Sequence, residues 1–153
     1  MRIPRQPPLN VAQQYLALRS NPICAGSGNL QRGQLTWEYE AQPTLLSRTY
    51  TVRITYRVDE RPQILVRRPN LIDLAHPRRL PHVYQQDPPL LCLYMTKKGD
   101  WTRRMRLDQT IVPWTALWLF FFEEWLASNE WKGGGEHPGD TNKPRLDLEP
   151  EEQ

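Results

Sequence analysis

Between Tyr50 and Arg57 the chain alternates strictly: Tyr50, Val52, Ile54 and Tyr56 fall on one side, and Thr51, Arg53, Thr55 and Arg57 on the other. A period of two is the mark of a half-buried strand. The same alternation marks Leu35 to Ala41 and Gln63 to Arg68, so three strands are expected over 35–41, 49–58 and 63–68, with a turn at Asp59 to Pro62. Farther on the period lengthens to three and four. Ile111, Trp114, Trp118, Phe121 and Trp125 predict the buried face of a helix. Asp108 or Thr110 can cap it, Pro113 is tolerated in its first turn, and Gly133 to Gly135 are expected to end it. A shorter helix is predicted from Val11 to Arg19, with Val11, Tyr15 and Leu18 inward and Asn10 as its cap. Residues 20–33 are rich in Asn, Pro, Gly and Ser and read as a loop. From Leu71 to Asp100 periodicity is lost while proline, histidine and aromatic residues accumulate, the pattern of a long irregular segment held on a scaffold. The expected class is α+β: a helix, an antiparallel meander of three or four strands, a long loop, then a second helix.

A length of 153 residues with 39% hydrophobic and 24% charged residues suits one domain. Its expected extent is 11–135, with a proline-rich arm over 1–10 and an acidic, disordered tail over 136–153. The net charge of +3 hides a gradient, since residues 48–106 hold 13 Lys/Arg against 5 Asp/Glu while 136–153 hold 2 against 6. Arginines alternating along strands form a solvated face, and an acidic protein surface suits them better than nucleic acid, which is not expected as a partner. The longest apolar run, Trp114 to Phe122, is about half of the roughly 20 residues that span a bilayer, so no membrane partner is expected either. Two cysteines in unlike settings suggest no disulfide framework, and no secretory leader pattern opens the chain; a cytoplasmic protein is expected. There is no Cys-x-x-Cys or His-x-x-x-His pair for zinc, and Gly26-Ser27-Gly28 has no following lysine for a phosphate loop. No cofactor is expected. Chemistry that needs ATP to activate a carboxylate would begin on a separate protein.

Two cysteines and two histidines are the candidates for chemistry. Cys24 lies among Gly and Ser, with neither a base nor a helix terminus beside it, and reads as incidental or packed. Cys92, between Leu91 and Leu93, would read as an ordinary buried thiol but for its position ten residues after His82. Pro81-His82-Val83-Tyr84 followed by Leu91-Cys92-Leu93 resembles the signature of the ubiquitin-conjugating family, a His-Pro-Asn tripeptide with a downstream Ile-Cys-Leu. Trp101, the helix-opening pair Thr110-Ile111 and the turn Arg61-Pro62 match the same pattern, which covers residues 10–135. Among its members the chain is most similar to the short bacterial conjugating-like proteins of anti-phage CBASS operons.

The resemblance implies a UBC-like fold and a transferase in which Cys92 holds an acyl group as a thioester. The implied donor is the C-terminus of a cGAS-like nucleotidyltransferase or of a ubiquitin-like protein, with a separate activating enzyme where one is required. Val83 and Tyr84 stand where the family has Pro and Asn, and that Asn steadies the oxyanion during attack by an amine. The donor of that hydrogen bond is then His82, His76 or a backbone amide, unless another nucleophile is used. His76 precedes Pro77 and His82 follows Pro81, so either can equally serve by packing within the loop. Lys97, Lys98 and Arg103 would favour the thiolate if the fold brings them near. Two other readings compete: a UBC-like module that grips a ubiquitin-like or nucleotidyltransferase partner without transfer, and a modifier awaiting trimming at its Gly-Gly-Gly, for which the order of elements is wrong.

Overall fold

The computed structural model describes residues 7–93 and 101–134. Its first helix, α1 (Val11–Ser20), opens on a reciprocal cap: Asn10 Oδ1 accepts from the Gln13 N–H, and Gln13 Oε1 accepts from the Asn10 N–H, both at 2.8 Å. Leu18 is buried on this helix, as is Gln14, while Val11 and Tyr15 pack against the core part-buried. A buried amide must find partners. Gln14 does so on both sides, donating to Met105 O and accepting from the Leu107 N–H, each at 2.8 Å, and thereby fastens α1 to the segment ahead of the helix that starts at Ile111.

Among the described residues six strands form one antiparallel sheet in the order β1-β2-β3-β4-β6-β5: β1 (Gly26–Gln31), β2 (Gln34–Ala41), β3 (Tyr50–Arg57), β4 (Gln63–Arg68), β5 (Val83–Gln85) and β6 (Leu90–Leu91). The alternation read from the sequence decides which face is buried. Leu35, Trp37 and Tyr39 of β2, Tyr50, Val52, Ile54 and Tyr56 of β3, and Ile64 and Val66 of β4 all enter the core. Across them lies α3 (Ile111–Ser128), which adds Trp118, Leu119 and Phe122 to the same cluster. Fully burying side chains of this size contributes roughly 1.5–3 kcal/mol each.

Several expectations need correction. Residues 20–33 are not a loop throughout: Pro22–Cys24 form a 3-10 turn and β1 follows it. At Gly26 and Gly28 an added Cβ would overlap the backbone carbonyl of Glu38 or Thr36, so the residues that suggested a loop are those that let this strand lie against β2. The irregular segment after residue 70 contains α2 (Leu71–Ala75) as well as β5 and β6, which raise the meander to six strands. α3 ends at Ser128 and is capped by Asn129, held left-handed at φ 64° with its N–H on Trp125 O at 2.7 Å, ahead of the glycines. Its buried face is Ile111, Val112, Thr115, Trp118, Leu119, Phe122 and Trp125, with Trp114 and Phe121 only half-buried. Neither expected cap works as one. Thr110 donates its hydroxyl to Arg106 O at 2.7 Å and makes no cap bond, while Asp108 is buried in the preceding 3-10 turn, Leu107–Gln109. The start of the arm, Lys97 and Lys98, and the acidic tail lie outside the described residues.

Candidate functional site

Cys92 sits directly after β6, on the path from the sheet to α3. The ladder puts Val83 opposite Leu91, and one rung farther the Cys92 N–H donates to His82 O at 3.0 Å. The same carbonyl accepts the indole N–H of Trp118 at 2.9 Å. One backbone oxygen thus ties the exit of β6 to the middle of α3. His82 has φ 46°, in the left-handed region where a side chain costs about 1–3 kcal/mol unless its surroundings hold it. Its imidazole is buried and stacks on Trp131, ring centres 4.9 Å apart and planes 26° from parallel. His82 is therefore a neighbour of Cys92 through the backbone, and its ring packs against the residues that follow α3. His76 is exposed at the C-terminus of α2, where its N–H closes the helix on Ile72 O at 2.9 Å.

The loop between α2 and His82 is clamped to the far end of α3. Arg78 lies over the Trp125 ring, its guanidinium carbon 4.2 Å from the ring centre, and donates to Trp125 O, Leu126 O and Asn129 Oδ1 at 3.2, 3.3 and 3.1 Å. A cation on the last carbonyls of a helix is favourable in its own right. Cys92 itself is only 4% exposed. Arg103 pairs with Asp59 at 2.6 Å, so its charge is partly met at the turn between β3 and β4. Trp101 meets the Tyr56 ring edge-on at 5.1 Å and donates its indole N–H to Thr110 Oγ1 at 3.1 Å.

Beside this segment a cavity of about 250 Å³ opens between the β3–β4 turn and the β6–β5 edge, lined among others by Arg61, Pro62, Ile64, Tyr84, Leu90 and Leu91. Arg61 Nη1 donates to the Tyr84 hydroxyl at 2.7 Å. Sequence reasoning noted Arg61 and Tyr84 as family positions without linking them, and missed Arg78 and Trp118 as supports of the loop. Only the indole of Trp118, in a helix face read as purely apolar, hinted at a polar duty.

Cys24 stands in contrast. It is fully buried, its thiol faces Leu18 O at 3.5 Å and Asn21 O at 3.6 Å, and burial, followed by the negative charge of Asp108, pushes it up to about 11. Burial would raise the Asp108 carboxyl as well, but hydrogen bonds from Arg106 and Asn21 and the Arg106 charge outweigh it and hold the group below the usual carboxylate range. No group of three or more His, Cys, Asp or Glu side chains suited to a metal occurs among the described residues. None of their helices is long and apolar enough to cross a membrane.

A capped N-terminal helix, an antiparallel meander, short elements leading to a cysteine and a helix laid across the sheet define a ubiquitin-conjugating-like, α+β protein. The chain matches the family described as Type II CBASS E2 protein over residues 14–138, and it belongs to that family. Its role is thus E2-like and lies in CBASS anti-phage defence. Comparison with curated proteins one by one found no match.

Proposed function

We propose that Cys92 accepts the C-terminal acyl group of a partner protein as a thioester and passes it to an amine. The observation that carries this reading is the placement of Cys92: in an E2-family chain, it leaves the sheet fixed by its N–H to His82 O at 3.0 Å, one residue beyond a wall of the Arg61–Tyr84 cavity. A thiolate is a strong nucleophile and a good leaving group, so thioester exchange asks little more of the protein than access and position. The partner is a cGAS-like nucleotidyltransferase, with a ubiquitin-like protein as the other candidate donor, and a separate enzyme activates the carboxylate. His82 holds the Cys92 backbone in place, and its imidazole and that of His76 are the histidine candidates for the transfer step. A cytoplasmic setting suits a thiol that must stay reduced.

The test is adduct formation with partner and activating enzyme present. Wild type forms a covalent species that thiols or hydroxylamine release; Cys92→Ala forms none; Cys92→Ser forms an oxyester that thiols leave intact, because an alkoxide is a far poorer leaving group. An adduct that persists in Cys92→Ala overturns the reading. The burial of Cys92 favours one alternative, a UBC-like module that grips the same partners without chemistry. Partner binding that is unchanged in Cys92→Ala, with no adduct in wild type, would establish it.

A further inference from the structure

The face of the sheet turned away from α3 carries a cavity of about 410 Å³ at the end of the β1–β2 hairpin, lined by Asn29, Gln31, Arg32, Gln34, Thr36 and Arg57. The strand register builds its floor. Gln31, Gln34 and Arg57 stand opposite one another across β1, β2 and β3, and Asn29, Thr36 and Thr55 form the next row. Each of the lining residues is polar, two are cationic and none is acidic. Acids close by in sequence are engaged elsewhere: Glu38 accepts from Arg53 at 3.2 Å and from Arg67 at 2.9 Å, and Glu60 lines the separate cavity of Arg61 and Leu91.

Arg57 is fixed without being neutralised. Its Nε donates to Gln34 Oε1 at 3.1 Å and its Nη1 to Arg32 O at 3.2 Å, both uncharged acceptors. A guanidinium has five N–H groups, so three remain for a ligand, in an orientation already set. With its oxygen engaged in this way, Gln34 keeps its NH2 to donate. Arg32 reaches the same cavity from an unfavourable backbone. Arg32 and Gly33 form the two-residue turn with φ 54° and 76°, a conformation that prefers Asn-Gly and strains a longer side chain at its first position. Strain kept where Asn would relieve it points to a use for the side chain that stands there.

We propose that this cavity binds a small phosphate monoester, whose phosphate pairs with Arg57 and Arg32 while its organic part lies on the side-chain amides of Asn29, Gln31 and Gln34. A phosphate monoester carries about −1.5 to −2 charges at neutral pH and accepts through three oxygens. Two guanidinium groups from different elements match that better than they match the single charge of a carboxylate. The volume falls within the roughly 300–1,000 Å³ of small-molecule sites, so a bare phosphate would fill only part of it. Amides that both donate and accept suit a hydroxyl-rich remainder. An acidic protein surface fits less well, since the uncompensated charge is gathered at one end of the sheet while Arg53 and Arg67 share Glu38. Binding here does not depend on acyl transfer at Cys92.

The test titrates the full chain with ribose 5-phosphate at physiological salt and follows backbone amide NMR shifts, with ribose, inorganic phosphate and an Asp/Glu-rich peptide as comparators. Saturable shifts are expected at residues 29–36 and at Arg57, with none from ribose and weaker binding of inorganic phosphate. Arg57→Gln and Arg32→Asn should each raise Kd about tenfold or more, the worth of a charge-assisted hydrogen bond. Asn tolerates positive φ, so Arg32→Asn should also hold or raise the Tm, which separates lost binding from lost folding. The absence of saturable shifts, an unchanged Kd in Arg32→Asn, or shifts centred on Arg53 and Arg67 overturns the proposal. So does inorganic phosphate binding as tightly as the sugar phosphate, which would leave the amide floor without a role. An acidic peptide that takes the same residues more tightly than ribose 5-phosphate overturns it too, assigning the face to a protein partner.

Discussion

The two cysteines lie in regions built on opposite plans. Around Cys24 burial and the charge of Asp108 outweigh a backbone hydrogen bond and disfavour a charged sulfur: the thiol faces two carbonyl oxygens, and Asn21, whose side chain caps the turn through the Ile23 N–H at 3.1 Å, also holds Asp108 at 2.9 Å. Around Cys92 the fixed element is the backbone. Its N–H meets His82 O, that oxygen meets Trp118, and the loop before it is fastened by Arg78 to the end of α3. The first arrangement stores a thiol as a small apolar side chain; the second holds a chain position while leaving the sulfur's chemistry to what approaches it. Burial alone does not separate them, since both are buried. The partners do.

Removing each thiol in turn separates the two regions most strongly. Cys92→Ala is expected to abolish the thiol-labile adduct completely, whereas Cys24→Ser leaves it unchanged, as read by mass spectrometry of the intact chain before and after hydroxylamine. Next in size is Trp118→Ala. It removes a fully buried indole and the second donor on His82 O, with an expected cost of about 3–5 kcal/mol in chemical denaturation. Trp118→Phe keeps most of the packing, and hydrogen exchange should then show reduced protection of the Cys92 N–H while the amides around Cys24 hold theirs.

A pH titration addresses the Cys24 side. The Asp108 carboxyl is depressed in the folded state, so its contribution is fully present above the unfolded value near 4 and is lost as pH falls through the lower folded value. Wild type should therefore lose stability below about pH 4. Asp108→Asn should be less stable at neutral pH and flatter across that range, in urea melts taken at successive pH values. The smallest effect belongs to Asn21→Ala, about 1 kcal/mol for a lost cap, with no change in Cys92 loading.

How much of this could be read beforehand follows the same division. Strands β2 to β4 were legible because a period of two is imposed on every residue that must choose between core and water. β1 was not, since Gly26 and Gly28 are selected by the approach of a neighbouring backbone that the sequence does not display. The inward face of α3 was misjudged at Trp114 and Phe121 because a helix apolar nearly all round offers no contrast from which to read a phase. The spacing of Cys92 from His82 pointed to two residues that the fold does bring together, yet the link runs through a carbonyl, which every residue has, and leaves no trace in residue type. Arg61 and Tyr84 were individually visible, but their meeting depends on a bulge at Tyr84 and on two strand pairings between them.

The stack of Trp131 on His82 bears on where this domain may be cut. Trp131 lies three residues past the end of α3, also touches Trp118 and Phe121 at ring-centre distances of 5.6 and 6.0 Å, and donates its indole N–H to Gly134 O at 3.3 Å. A fragment trimmed at Ser128 would keep every regular element among the described residues and still uncover the imidazole beneath the cysteine loop. For fusions or minimal versions of the chain, a C-terminal cut therefore has to spare the irregular segment through Gly134 and not merely the helix that precedes it.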